Sequence, residues 1–178
     1  DLVIPVALHT MDKMETKEAV LLAGAYSVSY PTGVFDRKFI SPYSRYGFGV
    51  LPEFWRMVID ELLISDTTAF CDVNVYWAFD EVTRTISTSI EAIFYEDVIG
   101  DIRLNAYIVE DSCSGKGTGW DQANYLAKDE RFKDYPYYTM PNPIPNFQHR
   151  EVVRAMLAGP WGLEGALLQK IKAGEKHY

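Results

Sequence analysis

The chain has 178 residues, which is enough for one large domain or two small ones. Hydrophobic residues make up 48% of it, a fraction typical of globular proteins and too high for a disordered chain. With 25 acidic and 17 basic residues the formal charge is −8, which argues against binding to nucleic acids or anionic lipids, and no apolar run approaches the roughly 18 residues that span a bilayer.

The first 66 residues predict an α/β arrangement. Residues 2–8 form a continuous apolar run, which is typical of a strand buried on both faces, and Pro5 places that strand at an edge or a bulge. Apolar residues at helical spacing predict a helix over 15–26 and a second, amphipathic helix over 52–65, which Pro52 opens. Between the helices the sequence predicts a short strand and a loop, at 34–36 and 41–50.

Near Asp66 the spacing of the apolar residues changes from helical to alternating, and we take this as a domain boundary. Three successive segments alternate in this way and predict half-buried strands at 71–79, 86–94 and 101–110. Because their connections are short, we expect an antiparallel meander that forms one face of a β-sandwich. A strand-like pattern returns at 148–157. The predicted fold is therefore an α/β domain over residues 1–66 followed by an all-β domain over residues 67–178.

A long irregular segment, 111–146, interrupts the second domain. It has glycines early and prolines late, and a loop of this length is usually either a binding element or a packed excursion. Aromatic side chains are enriched at protein interfaces, so those of this loop are candidate binding residues. They are Trp120, Tyr125, Tyr135, Tyr137 and Tyr138.

The strongest local motif is Tyr30-Pro31-Thr32-Gly33, between a predicted helix and a short strand. In thioredoxin-like folds a cis-proline occupies this junction, beside the redox cysteines, and shapes a groove for an extended peptide. The alternative is an ordinary turn proline in the trans form, which is the commoner state of such bonds. Tyr30 and Pro31 are thus candidates for a cis-proline site.

The two cysteines, Cys71 and Cys113, either form one disulfide or remain two buried thiols. Neither belongs to a Cys-X-X-Cys motif, which thiol exchange of the thioredoxin type requires. The three histidines are widely spaced and predict no metal site, and the chain has no Gly-X-Ser-X-Gly elbow. We therefore predict no catalytic residue and no cofactor.

Taken in order, these elements resemble the Omp-twenty-eight-related outer-membrane lipoprotein family of the bacterial envelope. The resemblance rests on Tyr30-Pro31-Thr32-Gly33 with Asp36-Arg37, on Glu110-Asp111 at a strand end, and on a late pattern of His149, Val153, Arg154, Leu157, Gly159, Trp161 and Gly162. It implies a thioredoxin-like domain joined to an Ig-like β-sandwich, exported and lipid-anchored at the outer membrane or cell surface. It also implies a partial chain, because members often carry a Cys-X-X-Cys before the segment corresponding to residues 2–8 and continue beyond residue 178.

Two functions follow as hypotheses. The first is a non-enzymatic accessory or binding protein of the cell envelope, a subunit of a complex, that docks on another envelope protein or a glycan through its aromatic loop. Its contact with the membrane would be peripheral, through an upstream lipid anchor. The second is a thiol–disulfide oxidoreductase whose cysteines lie upstream of residue 1.

Overall fold

The structure is a computed structural model that describes residues 3–26, 29–65 and 68–178. This part of the chain contains two α-helices, three short 3₁₀ helices and nine strands. The helices are α1 (Lys17–Ala25) and α2 (Trp55–Ser65), with 3₁₀ turns at Pro52–Phe54, Glu130–Phe132 and Pro136–Thr139. The strands are β1 (Ser44–Tyr46), β2 (Gly49–Val50), β3 (Cys71–Asp80), β4 (Thr85–Phe94), β5 (Val98–Ile99), β6 (Tyr107–Glu110), β7 (Val152–Met156), β8 (Lys170–Ile171) and β9 (Lys176–His177).

Both predicted helices are confirmed, with slightly shorter limits. Helix α1 begins after Thr16, whose hydroxyl accepts a hydrogen bond from the amide of Ala19 at 3.1 Å and so caps a free backbone N–H. Its buried face consists of Ala19 and Leu22. Helix α2 follows a 3₁₀ turn that Pro52 opens, and Val58 is its one fully buried side chain in the described part of the chain.

The described residues form four small sheets whose strands are mostly antiparallel, so the fold is mixed and rich in β-structure. The largest has the order β3-β4-β9, and the others are the pairs β1-β2, β5-β8 and β6-β7. The predicted three-stranded meander is wrong beyond its first hairpin, because the second neighbour of β4 is β9 while β6 pairs with β7. Alternation marks a strand but does not determine its partner.

The N-terminal apolar run is not the buried strand that the sequence predicts. In its described part, residues 3–8, a single parallel bridge joins Ala7 to Val152, and Ile4 is 84% exposed. Pro5 has no N–H with which to continue a ladder, so the pairing stops. The predicted strand at 34–36 is a turn with positive φ at Asp36 and Arg37, and the predicted loop at 41–50 contains the hairpin β1-β2.

The chain divides into two compact units that are discontinuous in sequence. The first unit comprises Asp1–Ser65 and Val109–Arg154, and the second comprises Asp66–Ile108 and Ala155–Tyr178. The predicted limits, 1–66 and 67–178, are linear, whereas the segment from Val109 to Arg154 groups with the N-terminal residues. Each unit has its own small core: Met14, Cys113 and Val152 in the first, and Ala92, Phe94, Leu167 and Ile171 in the second.

Candidate binding site on the tyrosine loop

The long irregular segment of the first unit is an ordered loop, and we call residues 120–147 the tyrosine loop. Its two ends are joined by a bridge in which Gln122 and Ile144 exchange backbone hydrogen bonds of 3.0 and 2.8 Å. The side chain of Ile144 is buried at this bridge. A loop closed at its base in this way can hold exposed side chains in fixed positions, because its backbone polar groups have partners within it.

Asn124 holds the two halves of the tyrosine loop together. Its buried side-chain amide donates hydrogen bonds to the carbonyls of Tyr137 at 2.8 Å, Pro141 at 3.2 Å and Met140 at 3.3 Å. Its side-chain oxygen accepts from the amide of Leu126 at 3.2 Å. One asparagine thus satisfies backbone groups on both sides of the loop, which is why a polar residue is buried here.

The outer part of the loop consists of the two 3₁₀ turns Glu130–Phe132 and Pro136–Thr139, which share one buried apolar side chain. Phe132 is buried and makes an edge-to-face contact with Tyr135, with ring centroids 5.7 Å apart. Asp129 caps the first turn, accepting from the amide of Arg131 at 3.1 Å, and also pairs with the guanidinium of Arg131 at 2.6 Å. These hydrogen bonds lower the pKa of Asp129 and raise that of Arg131.

Three of the five predicted aromatic residues lie on the surface of this loop. Tyr125 is 64% exposed, and Tyr135 and Tyr137 are also exposed. The other two are part of the packing. Tyr138 is half-buried and donates a hydrogen bond to Glu130 at 2.7 Å, which raises the pKa of its phenol.

Trp120 packs against the core residues Met14, Cys113 and Val152, so it is a structural residue of the first unit. Its ring lies over Gly115, where a Cβ atom would come within 2.3 Å of the indole. Gly115 is therefore a position that only glycine can fill without moving Trp120. The glycine-rich sequence around Gly115 is typical of a flexible loop, whereas in the structure Gly115 packs against the Trp120 ring.

A row of aromatic rings supports the base of the loop. Tyr137 contacts Phe147, Phe147 contacts His149, and His149 contacts His9, with centroid distances of 6.0, 4.9 and 5.1 Å. His149 is buried, and its Nε2 lies 2.8 Å from the carbonyl of Trp120, to which it donates. His149 is therefore a packed and hydrogen-bonded residue at the base of the loop.

The loop is close to electrically neutral within an acidic chain. It carries four acidic and three basic residues, whereas the whole chain has a net charge of −8. Arg131 also reaches Glu53, next to helix α2, at 3.3 Å. A surface with mixed charges around exposed tyrosines imposes no single sign of charge on whatever contacts it.

The remaining predicted site residues do not belong to this surface. The Tyr30–Pro31 bond is cis, as are Ser41–Pro42 and Asn142–Pro143. Cys71 and Cys113 are free thiols in different units, so the structure does not contain the candidate disulfide. Cys113 packs in the first core, while Cys71 lies opposite Phe94 in the β3-β4 ladder, so each sulfur belongs to the packing of its own unit.

No group of three or more histidine, cysteine and acidic side chains able to hold a metal ion occurs among the described residues. None of the helices in that part of the chain is long and apolar enough to cross a membrane.

Comparisons of the chain with protein-family models, with curated proteins and with solved structures find no match.

Proposed function

We propose that this protein is a non-enzymatic binding or accessory protein of the bacterial cell envelope, outside the cytoplasm at the outer membrane or cell surface. It docks on a protein or a glycan of the envelope through the tyrosine loop. The thioredoxin-like character of the N-terminal part and the Ig-like character of the β-rich part belong to this proposal. They rest on the resemblance described above.

The observation that carries the proposal is the exposure of Tyr125, Tyr135 and Tyr137 on a loop whose backbone is otherwise held by internal bonds. Tyrosine offers a large apolar ring and a hydroxyl at a small cost in side-chain entropy. Had these rings been buried and hydrogen-bonded, they would be core residues. Their position on the surface supports recognition of a second molecule.

The proposal is tested by placing a photo-reactive phenylalanine derivative at Tyr125 or at Tyr135 and irradiating intact cells. Phe39 is the control position, because it is an exposed aromatic residue of the same unit outside the loop. We expect a discrete cross-linked adduct at the two loop positions and none at Phe39. Mass spectrometry of the adduct then shows whether the partner is a protein or a glycan. Equal yields at all three positions, or no adduct, would contradict the proposal.

The alternative, thiol–disulfide exchange through cysteines upstream of residue 1, draws no support from the two cysteines of the chain. Burial raises the pKa of the Cys113 thiol, and the charge of Glu110 raises it further. Burial likewise raises the pKa of Cys71. A raised pKa lowers the fraction of thiolate, which is the reactive form, so neither cysteine suits exchange chemistry.

A further inference from the structure

Strand β3 is the open edge of the sheet β3-β4-β9, in the second unit. Its ten residues pair with β4 along their whole length, from Cys71 opposite Phe94 to Asp80 opposite Thr85. On its other side no strand of the described chain pairs with it. An open edge of this length presents a row of free backbone donors and acceptors.

The free backbone groups of this edge belong to the odd-numbered residues. The amide of Tyr95 donates to the carbonyl of Phe70 at 2.9 Å, so these two residues form a hydrogen-bonded pair in register with the β3-β4 ladder. Because such pairs alternate along an antiparallel ladder, even residues of β3 point their backbone groups at β4 and odd residues point them outward. Outside that ladder, the described chain makes no backbone hydrogen bond to the outward residues, which are Cys71, Val73, Val75, Trp77 and Phe79.

The side chains of the same odd residues are apolar and mostly exposed. Val73 and Val75 are each 53% exposed and Trp77 is 72% exposed. Edge strands are commonly protected from pairing by lysine, proline or a bulge. Strand β3 has none of these, since its sequence lacks both residues and its register with β4 is unbroken. The edge is therefore built to accept another strand.

We propose that β3 pairs in an antiparallel manner with β3 of a second copy of this chain, around a two-fold axis at Val75. In this register Val75 faces the partner's Val75, and Val73 faces the partner's Trp77. Cys71 faces the partner's Phe79. Every outward residue of the strand then has an apolar opposite, and pairs of aromatic and β-branched residues are favourable across strands.

The positions of the acids select this register over the neighbouring one. With the axis at Tyr76, Asp72 would lie directly opposite the partner's Asp80. The two-fold axis would also set Asp80 opposite the partner's Asp72, so two pairs of like charges would repel each other. With the axis at Val75, Asp72 lies opposite the partner's Ala78. Pairing about a two-fold axis uses the same strand edge of both copies, so it closes as a symmetric dimer and not as an open chain of copies.

Sedimentation velocity on a dilution series of the purified chain tests this pairing. We expect a reversible monomer–dimer equilibrium for the unmodified protein. Val75→Lys and Val75→Glu should each weaken it at least about tenfold, because each sets like charges face to face. An equimolar mixture of the two variants should restore the dimer, since the introduced ammonium of one copy then faces the introduced carboxylate of the other across the axis.

Val82→Lys is the matched control, because Val82 is an almost fully exposed valine in the turn that follows β3. It should dimerise like the unmodified protein. A monomer at all concentrations overturns the proposal. So does dimerisation of Val75→Lys that matches the control, or a mixture of the two charged variants that stays monomeric.

Amide hydrogen exchange on the unmodified protein tests the same register without any substitution. The amides of Val73, Val75 and Trp77 should exchange fast in dilute solution and slowly in concentrated solution. The amides of Asn74 and Tyr76 already bond to β4 and should show no such dependence. Dimerisation without this alternation means that another surface carries the contact, and it overturns the proposal.

Discussion

At the scale of the residue, Glu91 shows how one carboxylate joins the last strand to the β-hairpin. It is buried on β4 and accepts hydrogen bonds from Lys176 at 3.2 Å and from Asn74 at 3.3 Å. A hydrogen bond from the Tyr178 phenol, followed by that from Lys176, lowers the pKa of Glu91. A group whose pKa is lower in the folded state stabilises the fold above its unfolded pKa of about 4.3 and ceases to do so as the pH falls through the folded value.

We therefore expect Glu91→Gln to lower the melting temperature at pH 7 and to lower it less at pH 3, because pH 3 lies below the unfolded pKa of about 4.3 and the stabilisation by this charge declines there. Glu96→Gln is the control, because Glu96 is an exposed acid just after the same strand. It should change the melting temperature little at either pH. The measurement is thermal unfolding followed by circular dichroism, and an equal loss of stability for Glu91→Gln at both pH values contradicts the assignment.

At the scale of the element, the tyrosine loop depends on Asn124. Asn124→Ala removes three donated hydrogen bonds and one accepted bond that a buried side chain makes. We expect a loss of about 1–3 kcal/mol in the free energy of unfolding and faster proteolytic cleavage within the loop.

Gln122→Ala is the control for this prediction, because the Gln122 side chain bonds only to the neighbouring carbonyl of Ala123 among the described contacts. Urea unfolding and limited proteolysis of the two variants give the comparison. If both variants are equally stable and equally resistant to proteolysis, Asn124 does not organise the loop.

Elements whose signals are local in the sequence were predictable. Helix α2 has its opening proline and its amphipathic spacing, and the strands β3 and β4 have strict alternation. The hairpin β1-β2 was missed because its strands have three and two residues, too few to show a period. Alternation also shows which residues share a face but not whether that face is covered. The half-buried strand predicted at 71–79 would bury Val75 and Trp77, whereas both are exposed.

Within the candidate site, the composition of the loop indicated the tyrosines that are exposed but not the residues that hold the loop in shape. Tyr125, Tyr135 and Tyr137 were predicted from the density of aromatic residues, and the structure places them on the surface of one loop. Asn124 and Gly115 had no sequence signal of their own. The role of each depends on the folded backbone, since Asn124 bonds to carbonyls at least 13 positions away and Gly115 leaves room for the ring of Trp120.

At the scale of the whole molecule, the two units differ in the surface that they offer. The first carries the tyrosine loop, and the second carries the open edge of β3. The chain passes from one unit to the other after Ile108 and again after Arg154. A binding partner and a second copy are thus proposed for different units, so that loss of one contact does not require loss of the other.

The central claim, that the tyrosine loop is covered by a partner in the envelope, is tested most directly by hydroxyl-radical footprinting. Labelling of Tyr125 and Tyr135 is compared between the purified protein and intact envelope preparations. Tyr95 serves as the reference, because it is an exposed tyrosine of the second unit. Strong labelling of the two loop tyrosines in the purified protein, with protection in the envelope and unchanged labelling of Tyr95, is the predicted result. Equal labelling of Tyr125 and Tyr135 in both preparations would contradict the account.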